Sequence, residues 1–168
     1  MNKKIILISG LGIIVVALLI MMSRKETPPV LKTTENKMPD FRFQLIDGGS
    51  IQASDMDADK YTLLWFFDSE CNLCANEIHS LTDSISLLNN CQIVLLSYED
   101  SIKVAEFNER FRLMDFPSMH VVYTSEESVF SMFKIYAIPT LCVYHPDRRL
   151  IKYKPGPVTI QEIVDYLK

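Results

Sequence analysis

From Leu63 to Phe67 the chain reads Leu-Leu-Trp-Phe-Phe, a run of apolar residues with no polar alternation. A continuous run of this length is the pattern of a strand buried on both faces. Asp68, Ser69 and Glu70 then turn the chain, and the periodicity changes. Ile78, Leu81, Ile85 and Leu88 recur at three- and four-residue intervals, which predicts a helix running to the neighbourhood of Asn89 and Asn90. Cys71-Asn72-Leu73-Cys74 lies where strand hands over to helix.

The flanking pattern supplies the other elements. Phe41, Phe43 and Leu45 alternate with polar residues, Asp47-Gly48-Gly49-Ser50 provides turn residues and Ile51 resumes, which predicts a small hairpin. Ser54 to Lys60 reads as a short helical or irregular crossing. Beyond the central helix, Gln92 to Tyr98 is a second buried strand and Ser101 to Leu113 a helix with Val104, Phe107 and Phe111 on one face. Met119 to Tyr123 is a short strand or extended segment, Ser128 to Tyr136 a helix, and Leu141 to Tyr144 and Leu150 to Tyr153 are strands joined by a turn. Thr159 with Glu162 three residues later is a capping-box signature for a last helix that buries Ile160, Ile163, Val164 and Leu167. The order reads β-α-β-α-β-β-α behind a hairpin. It predicts an α/β fold with a central mixed sheet covered by helices on both faces.

The first 37 residues follow another logic. After Lys3 and Lys4, Ile5 to Met22 carries no charge, and as a helix it would cover roughly 27 Å of a hydrocarbon core about 30 Å thick. The run is longer than the apolar region of a cleaved signal and ends without a small-x-small site, which predicts an uncleaved anchor over residues 1–22. Residues 23–37, with Pro28-Pro29 and a polar stretch from Thr33 to Lys37, read as a tether, and 38–168 as the domain. Arg24 and Lys25 balance Lys3 and Lys4, so positive charge does not orient the anchor.

Composition narrows the function classes. A net charge of −4 with no basic cluster excludes nucleic acid as the expected partner. No nucleotide- or flavin-binding motif is present, so no cofactor is expected and electrons would have to come from another protein. Four cysteines are too few for a disulfide scaffold of this length, and only Cys71 and Cys74 form a motif.

At a helix start, unpaired N–H groups and the macrodipole favour an anion, and the anion available is the thiolate of Cys71. Cys74 lies within about one turn, close enough for a reversible Cys71–Cys74 disulfide. The chemistry expected is thiol–disulfide exchange, with Cys71 attacking a client disulfide and Cys74 resolving the mixed disulfide. A competing use of such a pair is half a zinc site with His79 as a third ligand, but no second cysteine pair completes it. Glu77 follows Cys74 by three residues on the same helix face, where a part-buried carboxyl would take or return a proton. A solvated helix carboxylate is the alternative at that position. Asp68, Glu70 and Glu77 crowd negative charge about the pair, which predicts a reductant rather than an oxidant. Cys91 and Cys142 fall on strands either side of the Trp65 strand and read as buried free thiols. His120 and His145 read as loop or strand-end residues, and the aromatics, Trp65 included, as core.

Over residues 38–168 the chain resembles the membrane-anchored thioredoxin-like proteins of the TlpA/ResA type. The resemblance rests on Pro39-Asp40-Phe41 ahead of a hairpin, a hydrophobic strand into Cys71-x-x-Cys74, Glu77 three residues on, and Ile138-Pro139-Thr140 before a strand. It implies a thioredoxin-like domain on the periplasmic, extracytoplasmic side of a bacterial membrane. It also implies a cis peptide bond at Pro139 facing the cysteines, with Ile138 and Thr140 offering backbone groups to a bound peptide. The chain departs from that family at Glu70 and Leu73, where Trp and Pro are usual, and at His79, where many relatives carry proline. Trp65 stands where cytoplasmic thioredoxins have a buried aspartate. The function expected is a membrane-anchored thiol–disulfide oxidoreductase that reduces client protein disulfides, recharged by an upstream protein electron donor. Two other readings remain: a peroxiredoxin-like thiol peroxidase, although Asp68 stands where those enzymes carry Thr, and a non-catalytic binding module that keeps the fold.

Overall fold

A computed structural model describes residues 36–168. The expected anchor over residues 1–22, and the tether up to Thr34 and Glu35, lie outside the described residues. Among the described residues no helix is long and apolar enough to cross a membrane.

Seven strands form one mixed sheet: β1 Arg42–Leu45, β2 Ser50–Gln52, β3 Tyr61–Phe66, β4 Cys91–Ser97, β5 Met119–Tyr123, β6 Thr140–Tyr144 and β7 Leu150–Pro155. Their order across the sheet is β2-β1-β5-β4-β3-β6-β7. β3, β4 and β5 run parallel, whereas β6 lies antiparallel to β3, and β1 antiparallel to β5. Four helices connect them: α1 Asn72–Asp83, α2 Ser101–Phe111, α3 Glu126–Phe133 and α4 Ile160–Tyr166. The expected order was one strand–helix pair short, because β5 is a full member of the sheet and α3 carries the chain from it to β6.

Side chains alternate across β3. Leu63, Trp65 and Phe67 face one core with Cys74, Ile78 and Leu81 of α1, Val104 and Phe107 of α2 and Ile163 of α4. Leu64 and Phe66 face a second core built from the β1–β2 hairpin and Val129 and Phe133 of α3. A strand pressed between two cores can carry no exposed polar position, which is why the apolar run from Leu63 has no alternation.

Helix boundaries follow their caps. Asp100 accepts from the backbone N–H groups of Ile102 and Lys103, both at 3.0 Å, and starts α2. Arg112 ends it in the left-handed region at φ 52°, two residues before the expected end. Ser125 accepts from the N–H of Ser128 and starts α3 earlier than periodicity suggested, and Lys134 at φ 53° stops it. The capping box of α4 forms as expected between Thr159 and Glu162. α1 ends at Asp83, and Ile85–Leu88 continues as a 3-10 turn rather than as one long helix.

The domain edge lies further N-terminal than expected. Lys37 bridges to Arg149, and the carbonyl of Asn36 accepts from the N–H of Leu150 at 2.7 Å, so the end of the supposed tether is part of the domain. His120 is the second residue of β5, opposite Val94 and half-buried; burial holds its imidazole below the usual value against the opposing charge of Asp47. Cys91 and Cys142 lie on strands flanking β3 and face different cores, so they are separate buried thiols.

Candidate active site at the start of helix α1

The turn that delivers the cysteines is tied down on both sides. The N–H of Phe67 donates to the carbonyl of Leu96 at 3.0 Å, carrying the β3–β4 ladder past the end of the strand. The N–H of Glu70 donates to Oδ1 of Asp68 at 2.8 Å and the N–H of Cys71 to its carbonyl at 3.2 Å, which folds Asp68–Cys71 into a tight turn. Ser69 donates to Glu99 through both its N–H and its hydroxyl, and Glu99 also accepts from the hydroxyl of Ser97 at 3.2 Å.

Cys71 is the N-cap of α1. Its Sγ accepts from the backbone N–H of Cys74 at 3.3 Å, one of the donors that a helix start leaves unpaired. The N-cap role usually falls to a short oxygen-bearing side chain; here a sulfur fills it, half-buried and open to a partner. Cys74 is buried, at 1% exposure. Burial first, then the hydrogen bond with Cys71, then the charges of Cys71 and Glu77 push its thiol far above the ordinary value, against a lowering hydrogen bond from the Asp68 backbone. Both cysteines are free thiols in this structure.

Glu77 is not a solvated helix carboxylate. It is 6% exposed, on the face of α1 that packs against the sheet. Oε2 accepts from the indole Nε1–H of Trp65 at 3.1 Å and Oε1 from the backbone N–H of Val158. Burial raises its carboxyl above the usual carboxylate range, and the Val158 N–H, the Trp65 indole and the positive charge of Lys154 pull in the other direction. Its charge in turn disfavours the thiolate of Cys74, three residues before it on the same helix.

The Ile138–Pro139 peptide bond is cis. Thr140 lies opposite Phe66 in the β3–β6 ladder, which brings this loop to the same end of the sheet as the cysteine turn. The carbonyl of Pro139 accepts from the N–H of Gly156 at 2.8 Å, and two residues further on Val158 reaches Glu77, so one loop joins the proline segment to α1. Of the three residues expected to receive a peptide, only Ile138 stays at the surface. Pro139 has no N–H and its carbonyl is engaged; Thr140 is fully buried in the sheet, its hydroxyl bonded to the carbonyl of Ala137 at 2.6 Å. Beside Ile138, Tyr98, Val129, Phe130 and the exposed Tyr136 line an apolar hollow of about 190 Å³.

Charge about the turn differs from the expected accumulation of carboxylates. Lys103 of α2 places its Nζ 2.9 Å from Glu70 and 3.6 Å from Glu99, a cation that adjacency in sequence did not reveal. His79 is exposed with Nδ1 3.0 Å from Asp83, directed along the helix rather than toward the cysteines. Among the described residues no cluster of three or more His, Cys, Asp or Glu could hold a metal ion.

Residues 34–153 match the AhpC/TSA family. The chain belongs to that family. No curated protein sequence is similar enough to count as a match. Solved structures carry the same thioredoxin-like fold at low identity. StoA from Bacillus subtilis superposes with a TM-score of 0.62 at 19% identity, covering 78% of this chain and 98% of that one. A secreted Mycobacterium tuberculosis disulfide oxidoreductase homologous to E. coli DsbE gives 0.63 at 15%, covering 76% and 93%. A putative protein disulfide isomerase from Bacteroides thetaiotaomicron gives 0.65 at 17%, covering 78% and 85%. Within the AhpC/TSA family both disulfide exchange and peroxide reduction occur.

Proposed function

We propose that this protein is a thiol–disulfide oxidoreductase that reduces protein disulfides through Cys71 and Cys74, anchored to a membrane by residues 1–22 with the domain on the extracytoplasmic side. The observation that carries the reading is the sulfur of Cys71 capping α1 and accepting the N–H of Cys74, with a buried proton acceptor, Glu77, one turn further on. The similarity in fold to a protein described as secreted, and the uncharged run from Ile5 to Met22, support the location.

The reaction runs in two displacements. Cys71, as thiolate, attacks one sulfur of a client disulfide; that S–S bond breaks and the other client sulfur leaves as a thiolate. The thiol of Cys74, strongly disfavoured as an anion by its burial, gives its proton to the carboxylate of Glu77 as it attacks Sγ of Cys71. The Cys71–Cys74 disulfide forms, the second client sulfur leaves, and two electrons have passed from the protein to its client. A dithiol protein upstream then returns the pair to the reduced form. Clients dock across Ile138 and the hollow beside it, since the carbonyl of Pro139 is taken by Gly156 and Thr140 is paired within the sheet.

A second reading, thiol peroxidase, is favoured by the family match. It requires Cys71 to meet a peroxide with Asp68 where related enzymes carry Thr. One experiment separates the two. A Cys74→Ala variant, lacking the resolving thiol, should accumulate mixed disulfides with client proteins through Cys71. Hydrogen peroxide consumption by the purified protein with no mixed disulfide trapped would replace the first reading by the second.

A further inference from the structure

Trp65 looks like core in the sequence and is core in the fold, 1% exposed on the face of β3 that meets α1. Its indole N–H is nonetheless spent on one specific atom, Oε2 of Glu77, at 3.1 Å. An indole N–H is a donor only, and a hydrogen bond to a carboxylate is stronger than the same bond to a neutral acid. The bond therefore stabilises the charged form of Glu77 in a place where burial opposes it. Few other groups share this task. From the loop before α4 comes the backbone N–H of Val158 and from β7 the charge of Lys154; Cys74 of α1 works the other way, since its charge and that of Glu77 disfavour each other. Val158 contributes through its backbone and Lys154 through charge alone, so among the described residues the indole is the one side-chain hydrogen bond on the carboxyl.

We propose that Trp65 is a positioning residue for the exchange reaction: its indole N–H fixes Oε2 of Glu77, holds the carboxylate ready, and thereby sets the pH above which Glu77 takes the proton of Cys74. This rests on the reading of Glu77 as the proton acceptor. The position that holds a buried acid in cytoplasmic thioredoxins thus holds, in this chain, the donor that serves an acid one strand–helix contact away. Phenylalanine at residue 65 would keep the packing and lose the donor.

The chain has a single tryptophan, so its emission reports on this site alone. With the full chain reduced and held in detergent, tryptophan fluorescence should show a pH-dependent step as Glu77 ionises, and Glu77→Gln should lack it. The rate of reduction of a protein disulfide such as insulin should rise with pH along an acid limb. Trp65→Phe should move the midpoint of that limb upward by about one pH unit, which slows the reaction several-fold at the parent midpoint. A parent emission curve that coincides with that of Glu77→Gln overturns the proposal without any variant at residue 65 having to fold. So does a folded Trp65→Phe protein whose acid limb coincides with the parent's while that of Glu77→Gln is altered. If Glu77→Gln itself keeps the parental limb, the role given to Glu77 fails first and the inference falls with it.

Discussion

The backbone N–H of Ser69 lies 2.6 Å from Oε2 of Glu99 and its hydroxyl 2.8 Å from Oε1, so a carboxylate at the β4–α2 junction grips the turn that leads into Cys71. Glu99 is nearly buried, with 8% of its side chain exposed, and Ser97 and Lys103 complete its shell. Cutting the side chain back leaves three donors without an acceptor at the site where the reactive sulfur must be held. Glu99→Ala should destabilise the domain by about 1.5–3 kcal/mol, the range for hydrogen bonds to a charged group. Thermal unfolding should show the loss, and a smaller one for Glu99→Gln, which keeps one oxygen acceptor.

Alkylation should separate the four thiols. Burial pushes Cys91 and Cys142 up to about 12, so roughly one molecule in ten thousand carries either thiolate at pH 8. Iodoacetamide added to the reduced, folded protein should label Cys71 first and leave Cys91 and Cys142 unlabelled until denaturant is added. Mass spectra taken over time settle the order, and early labelling of either strand cysteine would contradict their burial.

Glu77 should leave a signature in stability as well as in rate. Its folded-state carboxyl titrates above the ordinary range because of burial, so between its unfolded and folded titration points the native state binds more protons than the unfolded state. Stability contributed at this residue therefore falls as pH rises through that window, by about 1.4 kcal/mol for each unit of separation. Glu77→Gln has no such slope. Its melting temperature relative to the parent should improve from acid to neutral pH, and a constant difference would show that the carboxyl is not held above its ordinary range.

Client docking should depend on the aromatic hollow. Phe130 and Tyr136 stack with ring centroids 6.1 Å apart, and Tyr136 is 71% exposed. Tyr136→Ser should raise KM for a protein disulfide several-fold while leaving the reduction of a small disulfide such as oxidised glutathione unchanged, because only the larger client reaches past Ile138. Equal effects on both would place the loss at the cysteines instead.

Much of this site was legible in the chain itself. The unbroken apolar run at Leu63–Phe67, the change to helical spacing after Cys74 and the capping box at Thr159 and Glu162 are short-range patterns, and each reflects a local requirement of buried strand, amphipathic helix or helix end. The position of both cysteines at a helix start, and of Glu77 on the same helix, follows from spacing alone. What spacing could not show was which residues distant in the chain would meet there. Trp65 and Glu77 are 12 residues apart, Ser69 and Glu99 30, and Val158 and Glu77 81. No periodicity links such pairs, since they meet only when β3, β4, β7 and the helices above them pack. Burial decided the rest. Thr140 and Pro139 looked available to a partner in the sequence, but the sheet and the Gly156 loop engage them, while spacing left Glu77 open between a part-buried and a solvated carboxyl until α1 was laid on β3. Local pattern determines where a reactive sulfur can sit; tertiary packing determines which charges, donors and surfaces surround it, because burial and long-range hydrogen bonding exist only once the elements are assembled.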